Sequence, residues 1–575
     1  MEKQHNRGQD GAGVAAIKLD SEPGYPFLYR IRSNAHQPIA DLFEKIGQEI
    51  AEIEKHQPEI KHHPGLMKGH INVMGELLLG HLRYGTQGKN DVAFCHPFIK
   101  KDIIPARNMA LAGNFNLVNT EELFKLIKID ADAFQKQSDL AAMMEVIHHY
   151  LVEADKQNPG EINIVDVLKK SVQLFDGGFN FAGITGSGES FVVRDAHGIR
   201  PSYYYISDDV IVAASERAAI RTAFNLEENE VKELMPGMGL IVHENGDYQI
   251  EQIIEAKERK ACSFERIYFS RGSDEKIYRE RIALGYNLSN IVLNAINYDL
   301  RNTIFSFIPN TAETAFYGLI KGAEDYLNKI KIERILSWGN DVTEEKLEAM
   351  INRKIRQEKI AIKDVKLRTF ITEDTNRNEM VQHVYDITYG TVRKDEDTLV
   401  IIDDSIVRGT TLKESIIRML SRLGPKKIIV VSSAPQIRYP DCYGIDMSKM
   451  NDFIAFRAVI ALLNEKGMAN VIDQTYQKII ALEASNELHT ENVVRQLYKP
   501  FTPEEVSNKI AQLITPEDIK IPVEVIYQTI EDLHDCCPTN TGDWYFTGNY
   551  PTPGGNKVCN KAFKNYVEGK NVRGY

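Results

Sequence analysis

Apolar positions in the first two hundred residues fall into short, strand-length runs divided by polar turns and by longer stretches with helical spacing. Segments 10–19, 77–86 and 109–119 read as strands with turns. Residues 179–206 read as a hairpin with a Gly-rich turn and a further strand, and 209–216 as one more. Helices are expected at about 40–56, 120–128, 138–152 and 161–175. Mixed strands and helices in this order suit an α+β sandwich. The second half has a different rhythm. Thr398 to Ile402 is a β-branched-rich apolar run, as expected of a strand buried on both faces. It stops abruptly at Asp403 and Asp404. A Ser/Gly/Thr turn follows, and Leu412 to Leu423 then has helical spacing. A second buried strand is expected at the start of 428–447, and beyond it the chain reads as mostly helical.

The order strand, acidic pair, small-residue loop, helix has chemical content. Ligands of an open parallel sheet lie beyond the carboxyl ends of its strands. A loop that opens a helix offers unpaired backbone N–H groups to an anion. Two adjacent aspartates fit vicinal ribose hydroxyls or a hydrated magnesium ion, and the loop Ser405 to Thr411 fits a phosphate. The plain alternative is a solvated strand end, because turns are rich in Asp, Ser and Gly in any case. The full string Asp403-Asp404-Ser405-Ile-Val-Arg408-Gly409-Thr410-Thr411 resembles the PRPP-binding motif of type I phosphoribosyltransferases, in the form found in the amidophosphoribosyltransferase family. That resemblance implies PRPP contacts from Asp403, Asp404, Ser405, Arg408, Gly409, Thr410 and Thr411, and Mg2+ as cofactor with Asp403, Asp404 and Thr311 at the metal.

The front of the chain resembles the glutaminase domain of class II glutamine amidotransferases. The matching segments are HNRGQDGAG at 5–13, GHLRYGTQG at 80–88, LAGNFNLVN at 111–119, SDLAAM at 138–143, VVRDAHGIRP at 192–201 and AASE at 213–216. Free glutamine must be gripped by its charged ends so that its amide is presented. Arg83 can clasp the α-carboxylate bidentately. Asp139 can take the α-ammonium, and Asn114 can donate to the tetrahedral oxyanion. Singly, Arg83 reads equally as a surface ion pair and Asp139 as a helix cap. Phe115 and Gly113 stand where the family has Gly and His.

In this family the nucleophile is an N-terminal cysteine whose own α-amino group acts as base. The sequence starts at Met1, inside the family pattern, so the Cys-Gly opening and first strand are absent from it. The expectation is a truncated start, with a real loss of glutaminase activity as the alternative. Cys95 is the front domain's one cysteine and has no α-amine.

Further on, residues 262–274 and 277–289 resemble the family's hinge into the transferase domain. Thr311, in FSFIPNTAETA, falls on a hydroxyl position beside the metal–pyrophosphate unit, with Asn310 in place of the family acid. LRTFI at 367–371 resembles the start of the loop that closes over PRPP, and Arg377 is a candidate pyrophosphate contact. An iron–sulfur cluster, carried by some relatives on four cysteines, is not expected. Cys262 and Cys442 match two ligand places, but Gly542 and Tyr545 stand at the others, and Cys536 and Cys537 are adjacent.

Composition narrows the setting. The 575 residues carry a net charge of −12 without a long basic stripe, which argues against nucleic acid as main partner. Six cysteines do not make a disulfide framework, so a reducing, cytoplasmic setting is expected. No apolar run is long enough to span a bilayer, and the first residues lack the apolar core of a signal peptide. The expected organisation is an α+β N-terminal-nucleophile-type sandwich at 1–255, N-terminally truncated. An α/β parallel-sheet type I phosphoribosyltransferase domain follows at 256–460, with a helical insertion near 321–365, and a mainly helical C-terminal extension at 461–575. The resemblance implies glutamine and PRPP as substrates, purine nucleotides as feedback ligands and a homo-oligomer. A glutaminase-inactive, ammonia-dependent transferase and a non-enzymatic PRPP or nucleotide sensor are the rival expectations.

Overall fold

The computed structural model describes residues 1–21, 25–85, 91–128, 138–363, 385–445, 447–570 and 572–574. Its front part is built on two facing antiparallel sheets. β1 (Gly11–Ile17), β2 (Leu28–Ser33) and β3 (Leu77–Arg83) form the first, in order β2-β1-β3. The second takes β4 (Phe98–Lys100), β5 (Met109–Leu117), β6 (Gly177–Thr185) and β7 (Ser190–Arg194). A small separate sheet comprises β8 (Tyr203–Ile206), β9 (Ile211–Ala214) and β10 (Lys232–Glu233). β11 (Met238–Val242) and β12 (Tyr248–Gln252) then complete the second sheet, ordered β12-β11-β7-β6-β5-β4.

Alternation along β1 explains the layering. Ala12 and Val14 point to one face and pack with Ile39, Leu42 and Ile46 of the helix Pro38–His56. Ala15 and Ile17 point to the other and meet Ala110, Ala112 and Ile184 of the second sheet. The far face of that sheet, with Met109, Leu111, Phe179 and Phe181, is covered by the helices Asp139–Gln157 and Ile164–Val172. The pattern of short strands suggested an α+β sandwich, and the structure arranges it in four layers, helix–sheet–sheet–helix.

The second half is built on a parallel sheet. Its strands are β13 (Thr303–Phe307), β14 (Arg356–Gln357), β17 (Thr398–Asp403), β18 (Lys427–Ser432) and β19 (Val523–Tyr527), ordered β14-β13-β17-β18-β19. β15 (Ala361–Lys363) and β16 (Tyr385–Ile387) pair apart from it. The β17 run is apolar on both sides because both sides are covered. Leu399 and Ile401 enter one core, and Val400 and Ile402 enter the other, beneath the helices Glu275–Ala295 and Glu313–Ser337.

Two features differ from the sequence pattern. The charged segment near 321–365 is helical only to Ile351, and then supplies the short strands β14 and β15. The segment after 460 is mostly helical, yet it also provides β19, the edge strand beside β18. The two halves share a tight seam. Asn116 Nδ2 donates to the Cys442 carbonyl at 3.3 Å, and Arg200 Nε donates to that of Tyr443 at 2.6 Å. Val118 and Ile199 of the front part enter the core of the second. Among the described residues, no helix is long and apolar enough to cross a membrane.

Candidate functional site

Both groups of candidate residues line one continuous cavity of about 2100 Å³ along the seam. From the front come Arg83, Asn114 and Asp139, and from the second half Thr311 and the whole segment Asp403 to Thr411.

Arg83 ends β3 and is 5% exposed, so it is not a surface ion-pair residue. Its guanidinium carbon lies 5.9 Å from the centre of the Phe94 ring. Asp139 opens the helix Asp139–Gln157 without capping it. The cap is Ser138, whose hydroxyl accepts from the Ala141 N–H at 3.3 Å. The Asp139 carboxylate instead accepts from the Leu117 N–H at 3.0 Å. Burial pushes its pKa up to about 6, while the Leu117 N–H and the positive charge of Arg573 pull the other way. Asn114 sits in β5 opposite Asn180.

The sequence reading missed two histidines at this site. His81 precedes Arg83 on β3, and its Nε2 lies 3.2 Å from the Gly113 carbonyl. Its ring centre is 4.2 Å from that of His96, which stacks on Phe115 at 6.0 Å. Burial pulls His81 down to about 4 and His96 well below the ordinary imidazole value, so both are neutral at pH 7. His81 was visible within the Gly-His-Leu-Arg motif. His96 carried no signal, because only the fold brings β3 and the turn before β4 together.

In the second half, β17 delivers the acidic pair to the carboxyl edge of the sheet. The Asp404 N–H donates to Asp403 Oδ1 at 2.9 Å, and the Ser405 hydroxyl donates to Asp404 Oδ2 at 3.0 Å. Burial and the neighbouring carboxylate push Asp403 far above the ordinary range. Asp404 is raised to about 6 by burial, although Arg281 pulls it down. Among the described residues, neither carboxylate forms an ion pair with a lysine or arginine. Two half-buried, adjacent carboxylates without a paired cation are a donor set suited to Mg2+ or to ribose hydroxyls.

The loop beyond turns at Gly409, whose φ of +71° is costly for residues with a side chain. Arg408 is already engaged at the rim, 3.1 Å from Asp452, and its carbonyl accepts from Arg457. Thr311 follows β13, the neighbour of β17, at the same edge of the sheet. LRTFI at 367–371 and Arg377 lie outside the described residues.

The places of the cluster cysteines are filled differently. Cys262 Sγ is 3.0 Å from the Tyr545 hydroxyl, and Gly542 bridges to Cys262 through the backbone. The Tyr545 ring packs 5.3 Å from Phe264 and 4.7 Å from Trp544. This hydrogen-bonded aromatic packing does not fit an iron–sulfur cluster.

The chain is similar to known proteins over parts or most of its length. The family model described as a glutamine amidotransferase domain matches residues 97–222. The amidophosphoribosyltransferase of Pseudomonas aeruginosa is 28% identical over 469 residues, covering 79% of this chain and 78% of that protein. That of Saccharomyces cerevisiae is 26% identical over 571 residues, covering 96% and 87%. Among solved structures, the glutamine PRPP amidotransferase of B. subtilis, complexed with ADP and GMP, matches with a TM-score of 0.63 at 22% identity. It covers 96% of this chain and 93% of that one.

Proposed function

We propose that this chain, related in sequence to the amidophosphoribosyltransferases over most of its length, catalyses their reaction. It transfers ammonia, released from glutamine in the front part, to PRPP, giving 5-phosphoribosylamine, pyrophosphate and glutamate, a step of purine synthesis. The observation that carries this reading is the shared cavity. An acidic pair with its phosphate-sized loop faces the same space as a buried arginine, a carboxylate and an asparagine set for an amino acid.

Each group has a task. Arg83 and Asp139 grip the two charged ends of glutamine. The family's N-terminal cysteine, which this sequence does not include, would add its thiolate to the amide carbon; Asn114 donates to the oxyanion so formed, ammonia leaves as it collapses, and water then releases glutamate. Asp403 and Asp404 accept from the ribose 2- and 3-hydroxyls. The backbone N–H groups from Ser405 to Thr411 hold the 5-phosphate, with the hydroxyls of Thr410 and Thr411. Ammonia's lone pair forms the new bond at the anomeric carbon as the bond to the pyrophosphate oxygen breaks, and the resulting ammonium group loses a proton. Mg2+, held by Asp403, Asp404 and Thr311, would neutralise charge on the leaving pyrophosphate. A cytoplasmic homo-oligomer regulated by purine nucleotides is the setting this reading expects.

A second reading, ammonia-dependent transfer without glutaminase, draws on Cys95. That thiol is fully buried, 3.7 Å from the Ser33 carbonyl, and burial pushes its pKa up, so it is no nucleophile. The two readings share one test. The chain, given PRPP, Mg2+ and ammonium chloride, should release pyrophosphate and form phosphoribosylamine. No ammonium-dependent pyrophosphate release would refute both.

A further inference from the structure

β17 leaves the sheet at the acidic pair, and its end is held from both neighbouring strands. On the β13 side, the Ile308 N–H donates to the Ile402 carbonyl at 2.9 Å, one residue short of the pair. On the β18 side, the regular ladder stops with Asp403 opposite Ser432. Ser433, the next residue, carries the hold past the end of the ladder. Its N–H donates to the Asp403 carbonyl at 3.0 Å, and its hydroxyl donates to the Asp404 carbonyl at 3.1 Å. Ser432 shapes the turn that follows. Its hydroxyl donates to the Ala434 carbonyl at 2.8 Å and accepts from the Ala434 N–H at 3.3 Å. Ser433 is 3% exposed, so it acts on a ligand only through the pair.

We propose that Ser433 is a positioning residue of the transferase site: its hydroxyl fixes the Asp404 carbonyl, and thereby the angle at which the two carboxylates meet Mg2+ and the ribose hydroxyls. The inference rests on the reading of the acidic pair as the PRPP site. Among the described residues, the Ser433 hydroxyl is the one donor to the Asp404 carbonyl. The other bonds of Asp404 lie within its own segment, from its N–H to Asp403 Oδ1 and from the Ser405 hydroxyl to Asp404 Oδ2. Neither of them ties Asp404 to the sheet. Beyond it the chain enters the loop that pivots at Gly409. Without the Ser433 hydroxyl, the peptide after Asp404 is free to turn, and two carboxylates that repel each other move apart. A magnesium ion demands near-ideal geometry from its ligands, so a small change in that angle weakens its hold.

The test is calorimetric titration of the full chain with PRPP in the presence of Mg2+, beside ammonium-dependent pyrophosphate release. Ser433→Ala should weaken PRPP binding about three- to tenfold, the scale of one lost hydrogen bond. It should raise the Mg2+ concentration for half-maximal release by a similar factor. Ser433→Thr keeps the hydroxyl and should behave as the parent. Ser433→Cys keeps the volume with only a weak S–H donor, and should fall with Ser433→Ala. Glutamine binding, at the other end of the cavity, should not change in any variant. Parent-like PRPP and Mg2+ constants in Ser433→Ala, with the parent active, overturn the inference alone. So does a loss shared by Ser433→Thr, or a matching loss of glutamine binding, since either makes the residue a support of the fold and not of the pair. Without ligand, each variant should unfold within about 2 °C of the parent, and a larger drop in Ser433→Ala overturns the inference for the same reason. A parent that neither binds PRPP nor releases pyrophosphate overturns the reading of the site together with the inference.

Discussion

Asp139 and Ser138 divide two tasks that sequence patterns run together. Either residue could cap the helix, but Ser138 does so, and Asp139 is left to face the cavity. Burial raises its pKa to about 6 from 3.8. A carboxyl raised in this way favours folding below pH 4, and that contribution is lost as pH rises through 6. Binding follows the opposite direction, because only the ionised form holds an ammonium group. Glutamine should therefore bind roughly fourfold more weakly at pH 5.5 than at 7.5, from the ionised fraction at a pKa of about 6. Calorimetry across that range checks it, and a flat profile would remove Asp139 from the site. Arg83 is tested by Arg83→Lys. A point charge cannot reproduce a bidentate clasp, so glutamine affinity should fall roughly tenfold or more. Stabilisation by PRPP should not change, because Arg83 belongs to the other end of the cavity. Equal loss of both would make Arg83 a structural residue.

At the scale of elements, the strand–loop–helix unit around β17 supplies the second site. Gly409 is its pivot, with φ of +71° and Ile514 and Ile454 at 3.0 and 3.2 Å from where a Cβ would stand. Gly409→Ala should cost about 1 kcal/mol or more in stability and should weaken PRPP binding more than glutamine binding. Equal unfolding midpoints and equal PRPP affinity would mean that the loop's shape is not set there. This unit was legible in the sequence because its chemistry is local. An apolar run, two carboxylates and a small-residue turn occupy consecutive positions, and β17 lies where the run placed it. Helices with strong spacing, such as Pro38–His56, were legible for the same reason. The short strands β14 and β19 were not, since five residues or fewer in a charged or mostly helical context carry too little periodicity. His96 was hidden because it joins the site only through tertiary contact. Cys262 and Tyr545 stand between these cases. The absence of two ligand cysteines was readable, whereas the hydrogen-bonded packing that fills their place was not.

At the scale of the whole molecule, the account depends on one cavity serving two chemistries across a seam. The transferase half anchors it. Two half-buried carboxylates next to each other repel, so they hold a proton more tightly than an isolated aspartate until a cation takes its place. A ligand that binds only the native state stabilises it by mass action, about 2.7 kcal/mol at a hundredfold excess over Kd, which is about 2 °C in Tm for a chain of this size. The most direct measurement is therefore thermal unfolding of the full chain with and without PRPP and Mg2+, beside Asp403→Asn and Asp404→Asn. The account predicts a clear upward shift for the parent. It predicts little or no shift for either variant, whose stability without ligand should equal or exceed the parent's because like-charge repulsion is gone. A parent that shows no PRPP-dependent shift, or variants that shift as much as the parent, would contradict it.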